Sequence, residues 1–305
     1  MSRQRPALAL LLSITCGCVP LRPFADVQRE APAAHFLEAD GGLVYVEQAG
    51  EGEPVFLLHG FAESTYTWRK VLPGLAATHR VVALDLYGFG YTRRPQDPAR
   101  YRRDGQVALL LAVMDRLGFE RAHLVGHSYG GAICLALAAR HPERVRSLVL
   151  VASAAPSYPD DRRSRTAGIR LLNDLYLRAL ALRPRAVERA LRRSFHDDAL
   201  VTPELVAAYL ERLRIEGVTD AYYGLSAPSA ARAAPVDLAR LDVPTLLLWG
   251  AQDVVTPVAN GRELARRLPR AELVVLAGAG HLPMEERPEE LVRAVRTFLA
   301  RTPAP

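Results

Sequence analysis

The chain has 305 residues, half of them apolar and 24% charged, with 21 Gly and 22 Pro; this fits one large globular domain or two ordinary ones and excludes collagen-like and low-complexity architectures. Three cysteines are too few for a disulfide scaffold, none pairs with a nearby His as a metal site would require, and no apolar run approaches the ~18–20 residues needed to span a bilayer. The formal charge of +6 rests almost wholly on arginine, Lys70 being the only lysine; arginine is spread along the chain, which points away from nucleic-acid binding.

The chain opens MSRQRPALALLLSITCGC. Arg3 and Arg5 make a basic n-region and Ala7 to Leu12 a short apolar h-region, the pattern of an export signal. Thr15-Cys16-Gly17-Cys18 resembles a bacterial lipobox, in which a cysteine becomes the acylated first residue; Cys18, preceded by Gly17, fits that role better than Cys16. Residues 1–17 are therefore expected to be a signal segment, and Cys18 the lipidation site of a protein held at the cell envelope on the periplasmic side. Free secretion is the alternative. Residues 18–34, with Pro20, Pro23 and Pro32, read as an extended tether.

The body alternates strand and helix. His35–Ala39 and Leu43–Gln48 flank Asp40-Gly41-Gly42 as a hairpin. Apolar runs follow at Val55–Leu58, Val81–Leu84, Ala122–Val125, Leu148–Ala152, Thr245–Trp249 and Leu273–Leu276, with helical patterns over 104–118, 129–140 and 288–300. Continuous apolar strands separated by helices imply a mostly parallel twisted sheet covered on both faces. Between about Ser153 and Ala234 the pattern is helical and strandless, so residues 155–235 should be a helical cap inserted into a core of 35–154 and 236–303. From Arg162 to Arg193, ten arginines face only Asp174 and Glu188. This reads as a solvated helical surface, with attraction to an anionic surface as the alternative.

Gly126-His127-Ser128-Tyr129-Gly130 lies between a buried strand and a helix. A strand turning sharply into a helix leaves no room for side chains two positions either side of the central residue, and here both are Gly. The turn would expose the Ser128 hydroxyl above the amides of the following helix. A serine needs a base, and the base an orienting carboxylate. His281 lies in a Gly-rich loop past the last strand, and Asp253 past the strand before it, at the sheet edge where catalytic groups gather in such folds. His127, His59 and the remaining histidines are assigned to packing or surface, Cys134 to the core, and Tyr222 and Tyr223 to aromatic packing or substrate contact.

The order Ser128…Asp253…His281 resembles that of the α/β-hydrolase superfamily over roughly residues 35–302. Leu57-Leu58-His59-Gly60-Phe61 is similar to its oxyanion loop, and Asp85-Leu86-Tyr87-Gly88-Phe89-Gly90 to its D-x-x-G-x-G turn. The resemblance implies an α/β-hydrolase fold of about eight strands. It also implies an oxyanion hole from the backbone N–H groups of Phe61 and Tyr129. Ala62 and Tyr87 stand where many relatives have proline. Leu200–Val206 resembles the cap of esterases and lipases. Epoxide hydrolases and dehalogenases place Asp where Ser128 stands, which argues against both.

The expected activity is that of a serine carboxylesterase working through an acyl-enzyme on a small-molecule ester. A C–C bond hydrolase acting on a vinylogous diketone, or a cofactor-free perhydrolase, would use the same triad; a non-enzymatic ligand-binding protein is the rival of a different class. No metal or organic cofactor is implied, no nucleic-acid partner, and a monomer is expected.

Overall fold

A computed structural model of the chain describes residues 19–154, 176–226 and 236–302. Cys16 and Cys18 lie outside these residues, as do the parts of the cap at 155–175 and 227–235. Eight strands form one sheet in the order β1-β2-β4-β3-β5-β6-β7-β8. They are β1 (Phe36–Ala39), β2 (Gly42–Ala49), β3 (Pro54–Leu58), β4 (Arg80–Leu84), β5 (Ala122–His127), β6 (Val145–Val151), β7 (Thr245–Gly250) and β8 (Ala271–Leu276). The hairpin β1–β2 and the pair β2–β4 are antiparallel, and every other pairing is parallel. The hairpin turns on Asp40 and Gly41, both at positive φ, as a two-residue primed turn demands.

Side-chain alternation divides each strand between two cores. On β3, Phe56 and Leu58 face a cluster with Val107, Leu110 and Ile133, from the helices Arg103–Arg116 and Tyr129–Arg140. Val55 and Leu57 face the other cluster, with Leu75, Leu291 and Val295 from Leu72–Ala76 and Pro288–Arg301. A strand buried on both faces has no polar alternation, which is why β3 reads as an unbroken apolar run. The order reverses between β3 and β5, so the loops after these two strands flank the crevice where ligands bind in open α/β sheets.

Between β6 and β7 the described residues 176–226 carry the helices Pro184–Ser194, Pro203–Leu213 and Val218–Ser226. The N-terminal segment differs from an extended tether. Residues Phe24–Glu30 are helical, begun by Pro23, whose fixed φ suits a helix start. Val27 is buried against Tyr45, Tyr91 and Ile215. Arg22 pairs by backbone with both Arg214 and Glu216. Two buried apolar anchors, Val19 and Val27, and these main-chain bonds dock a stretch whose prolines alone suggest a free linker.

Candidate active site

Ser128 is the hinge between β5 and the helix Tyr129–Arg140, at φ 46° and ψ −109°. An L-residue in this left-handed region is strained by about 1–2 kcal/mol, and its surroundings must over-determine it. Here they do. Its N–H donates to Val151 O at 3.0 Å, and its carbonyl accepts from Gly131, Ala132 and Ala154. The flanking glycines are obligatory: a Cβ at Gly126 would lie 2.6 Å from Gly130 O and Gly131 Cα, and one at Gly130 would strike Leu58 O.

Asp253 and His281, 28 residues apart, meet across the loops after β7 and β8 with Oδ2 and Nδ1 2.9 Å apart. A ring nitrogen facing a carboxylate donates, so His281 keeps its proton on Nδ1 and leaves Nε2 as the basic atom. Both residues are buried. Burial alone would raise the Asp253 pKa, but the hydrogen bond and charge of His281, then Thr256, hold it below the usual carboxylate value. Thr256 is a partner that sequence reasoning missed. Its N–H, with that of Val255, donates to Asp253 Oδ1 at 2.8 Å, and its hydroxyl lies 2.8 Å from Asp253 Oδ2. The same hydroxyl reaches Ala152 O and His281 Nδ1. The D-x-x-T spacing, an acid bonding amides two and three residues on, was the available clue.

His59 is buried; its Nδ1 donates to Gly60 O and its Nε2 accepts from Leu86 N–H at 3.0 Å, which locks the loop after β3. Gly60 N–H donates to Glu63 Oε2, and among the described residues the Phe61 N–H has no hydrogen-bond partner. His127, expected to pack passively, does more. Its Nδ1 donates to Glu63 Oε2 at 3.0 Å and its Nε2 to the backbone carbonyl of His281 at 2.8 Å. With donors at both nitrogens the ring is an imidazolium. Burial opposes both charges, yet mutual attraction and hydrogen bonding raise the His127 pKa and lower that of Glu63. This buried pair ties the loop after β3 to the loop that carries His281.

The loop that carries His281 is also held from the cap side. His281 N–H donates to Ser194 O at 2.7 Å. Glu286 accepts from Gly280 N–H at 2.6 Å and from the amides of His196 and Asp197. Beside the Phe61 loop, the rings of Phe61, Phe89 and Tyr222 meet edge to face at 5.4–6.5 Å, with Tyr129 against Phe89. They form an apolar wall, and Phe61 remains 47% exposed.

A strained serine elbow, a His–Asp pair and an amide-bearing loop thus converge on one edge of a mostly parallel sheet. The family model described as the alpha/beta hydrolase fold matches residues 53–288. The chain belongs to the α/β-hydrolase family. It is 34% identical over 283 residues to a 2-hydroxymuconate semialdehyde hydrolase of Pseudomonas sp. (strain CF600), covering 87% of this chain and 93% of that one. Among solved structures it is similar to a meta-cleavage product hydrolase from Pseudomonas fluorescens IP01, at TM-score 0.74 and 28% identity over 88% of this chain and 98% of that one. A thermophilic esterase from Thermogutta terrifontis gives TM-score 0.72 and 26% identity over 88% and 97%. The chain is a hydrolase, and its relatives include C–C bond hydrolases as well as an esterase.

Two departures from the family pattern have local physical reasons. Ala62 adopts φ +62°, a conformation closed to proline, whose ring fixes φ near −65°. Tyr87 donates its N–H to Gln106 Oε1 at 3.0 Å and accepts from Gln106 Nε2 at 2.9 Å, so proline here would lose the donor. In the same turn Asp85 accepts from Thr65 N–H and Tyr91 N–H, each at 2.6 Å, and so braces the pocket wall of this hydrolase. Cys134 is buried in the helix after Ser128, where burial pushes its thiol pKa far up.

Proposed function

We propose that Ser128, Asp253 and His281 are the catalytic triad of a hydrolase that cleaves the C–C bond beside a carbonyl in a vinylogous diketone. The carrying observation is the 2.9 Å Asp253–His281 pair at the same sheet edge as the strained Ser128 elbow. The similarity to 2-hydroxymuconate semialdehyde and meta-cleavage product hydrolases favours carbon over oxygen as the leaving atom, which moves the reading away from the simple ester expected from the motifs. Ester cleavage is the second reading, favoured by the Thermogutta esterase.

Ser128 Oγ attacks the carbonyl carbon while its proton passes to His281 Nε2, and Asp253 stabilises the imidazolium that forms. The Phe61 and Tyr129 N–H groups hold the oxyanion, an arrangement that supplies several kcal/mol of barrier reduction. Collapse expels a carbanion delocalised over the conjugated system, or an alkoxide from an ester, and the leaving atom takes the proton from His281. Water, deprotonated by His281, then attacks the acyl-enzyme and releases the acid. Each step is served by the chain's own residues.

The deciding experiment compares kcat/KM of the purified protein on 2-hydroxymuconate semialdehyde and on a chain-length series of p-nitrophenyl esters. A preference for the semialdehyde, the vinylogous keto-aldehyde counterpart of the diketone, supports the first reading. A preference for the esters of 10²-fold or more replaces it with the second.

For its site of action we propose acylation at Cys18 and attachment to the envelope membrane. The basic n-region, short apolar run and Gly17-Cys18 support this. Fractionation of wild type beside Cys18→Ser, with intact mass of the mature N-terminus, tests it; a soluble, unacylated wild type would end it.

A further inference from the structure

The helix Pro184–Ser194 buries Val187 and Leu191 against the cap, and Phe195 just beyond its end is buried too. On its other side Arg185, Arg189 and Arg193 are exposed and recur every four residues, so they share one face. Arg192 beside them is paired with Glu188 and Asp198. Among the described residues no acid pairs with Arg185, Arg189 or Arg193. Just upstream, Tyr176 and Leu180 are 58% and 60% exposed, two of the few large apolar side chains on the surface. An unpaired cationic stripe on an outward-facing helix surface, with exposed aromatic and aliphatic side chains on the preceding element, is the chemistry that draws a protein surface onto an anionic lipid interface.

A second observation points to the same place. Val19 is buried, its N–H donates to Arg178 O at 3.0 Å, and Arg178 Nε returns a bond to Val19 O. Arg178 lies between Tyr176 and Leu180. The described chain therefore begins against this element. The described N-terminus is thus in contact with the element that carries Tyr176 and Leu180.

We infer that the cap surface carrying the Arg185, Arg189 and Arg193 stripe, with the exposed Tyr176 and Leu180 on the element before it, docks on an anionic phospholipid bilayer. The body then lies on the membrane by its cap and does not hang from a free tether. The inference is independent of which bond the enzyme cleaves, and it does not require acylation of Cys18.

The test uses the full chain carrying Cys18→Ser, so that no acyl group contributes. It measures sedimentation with vesicles of phosphatidylcholine containing about one-third phosphatidylglycerol, against vesicles of phosphatidylcholine alone. Each arginine near an anionic surface contributes about fivefold to partitioning. The variant R185Q/R189Q/R193Q should therefore bind the anionic vesicles roughly a hundredfold more weakly, and raised salt should weaken the parent in the same direction. Tyr176→Ser with Leu180→Ser should lower binding by about tenfold or more through lost apolar burial. All five positions are exposed, so thermal melts of the variants should match the parent. Parent binding that ignores phosphatidylglycerol, or equal binding by the parent and either variant, would overturn the inference.

Discussion

Replacing Glu63 with Ala removes the carboxylate that, among the described residues, is bonded to the His127 imidazolium. Both groups are buried, and both His127 ring nitrogens are committed, one to Glu63 and one to the His281 carbonyl. Removing one partner of a buried ion pair costs about 3–5 kcal/mol, because the other charge is left uncompensated. At about 2 °C per kcal/mol for a chain of this size, the melting temperature should fall by roughly 6–10 °C near pH 6. The pH dependence carries the sign. His127 is raised above its ordinary 6.5, so its contribution is complete below that value and is lost as pH rises through the higher folded-state pKa. Glu63 is lowered from 4.5, so its contribution is present above that value and is lost as pH falls through the folded-state pKa. The gap in melting temperature between wild type and Glu63→Ala should be widest between about pH 4.5 and 6.5, and should narrow above. Glu63→Gln keeps an acceptor for the Gly60 amide and lets a neutral His127 retain its bond to His281, so it should lose less than Glu63→Ala. Differential scanning calorimetry from pH 4 to pH 9 gives the comparison. Parallel wild-type and Glu63→Ala curves with no gap would refute the assignment of a buried charged pair.

The remaining expectations concern the triad and its loops. Ser128→Ala should lower kcat by something like 10⁴–10⁶ while circular dichroism and melting temperature hold, and Asp253→Asn should cost about 10⁴ by favouring the wrong His281 tautomer. Thr256→Val deletes the hydroxyl at 2.8 Å from Asp253 Oδ2, so stability should fall by about 1–3 kcal/mol with KM changed less than kcat. Ala62→Pro cannot adopt φ +62° and should both destabilise the fold and cut kcat, whereas Ala62→Gly should be neutral or stabilising by up to about 1 kcal/mol in urea melts.

Much of this molecule is written locally. The runs Val55–Leu58, Ala122–Val125 and Thr245–Trp249 announce buried parallel strands because a strand covered on both faces has no polar face to alternate with. Gly126 and Gly130 announce the Ser128 elbow because steric exclusion within five residues leaves no other choice. Asp253 and His281 could be nominated because each follows a strand at the edge where such groups collect, although their 2.9 Å contact spans 28 residues. The rest depends on strand order. His127 and Glu63 are 64 residues apart and meet only because β3 and β5 are neighbours in the sheet, and the carbonyl His127 grips lies 154 residues away. Glu286 reaches His196 across 90 residues, and Arg22 meets Glu216 on a cap that chain periodicity could not position. Periods of 2 and 3.6 report which face of an element is apolar, and they carry no information about which element will cover it. The sequence by itself therefore determined the strands, the elbow and the candidate triad, while the buried Glu63–His127 pair and the docked N-terminus were decided when the sheet brought distant loops into contact.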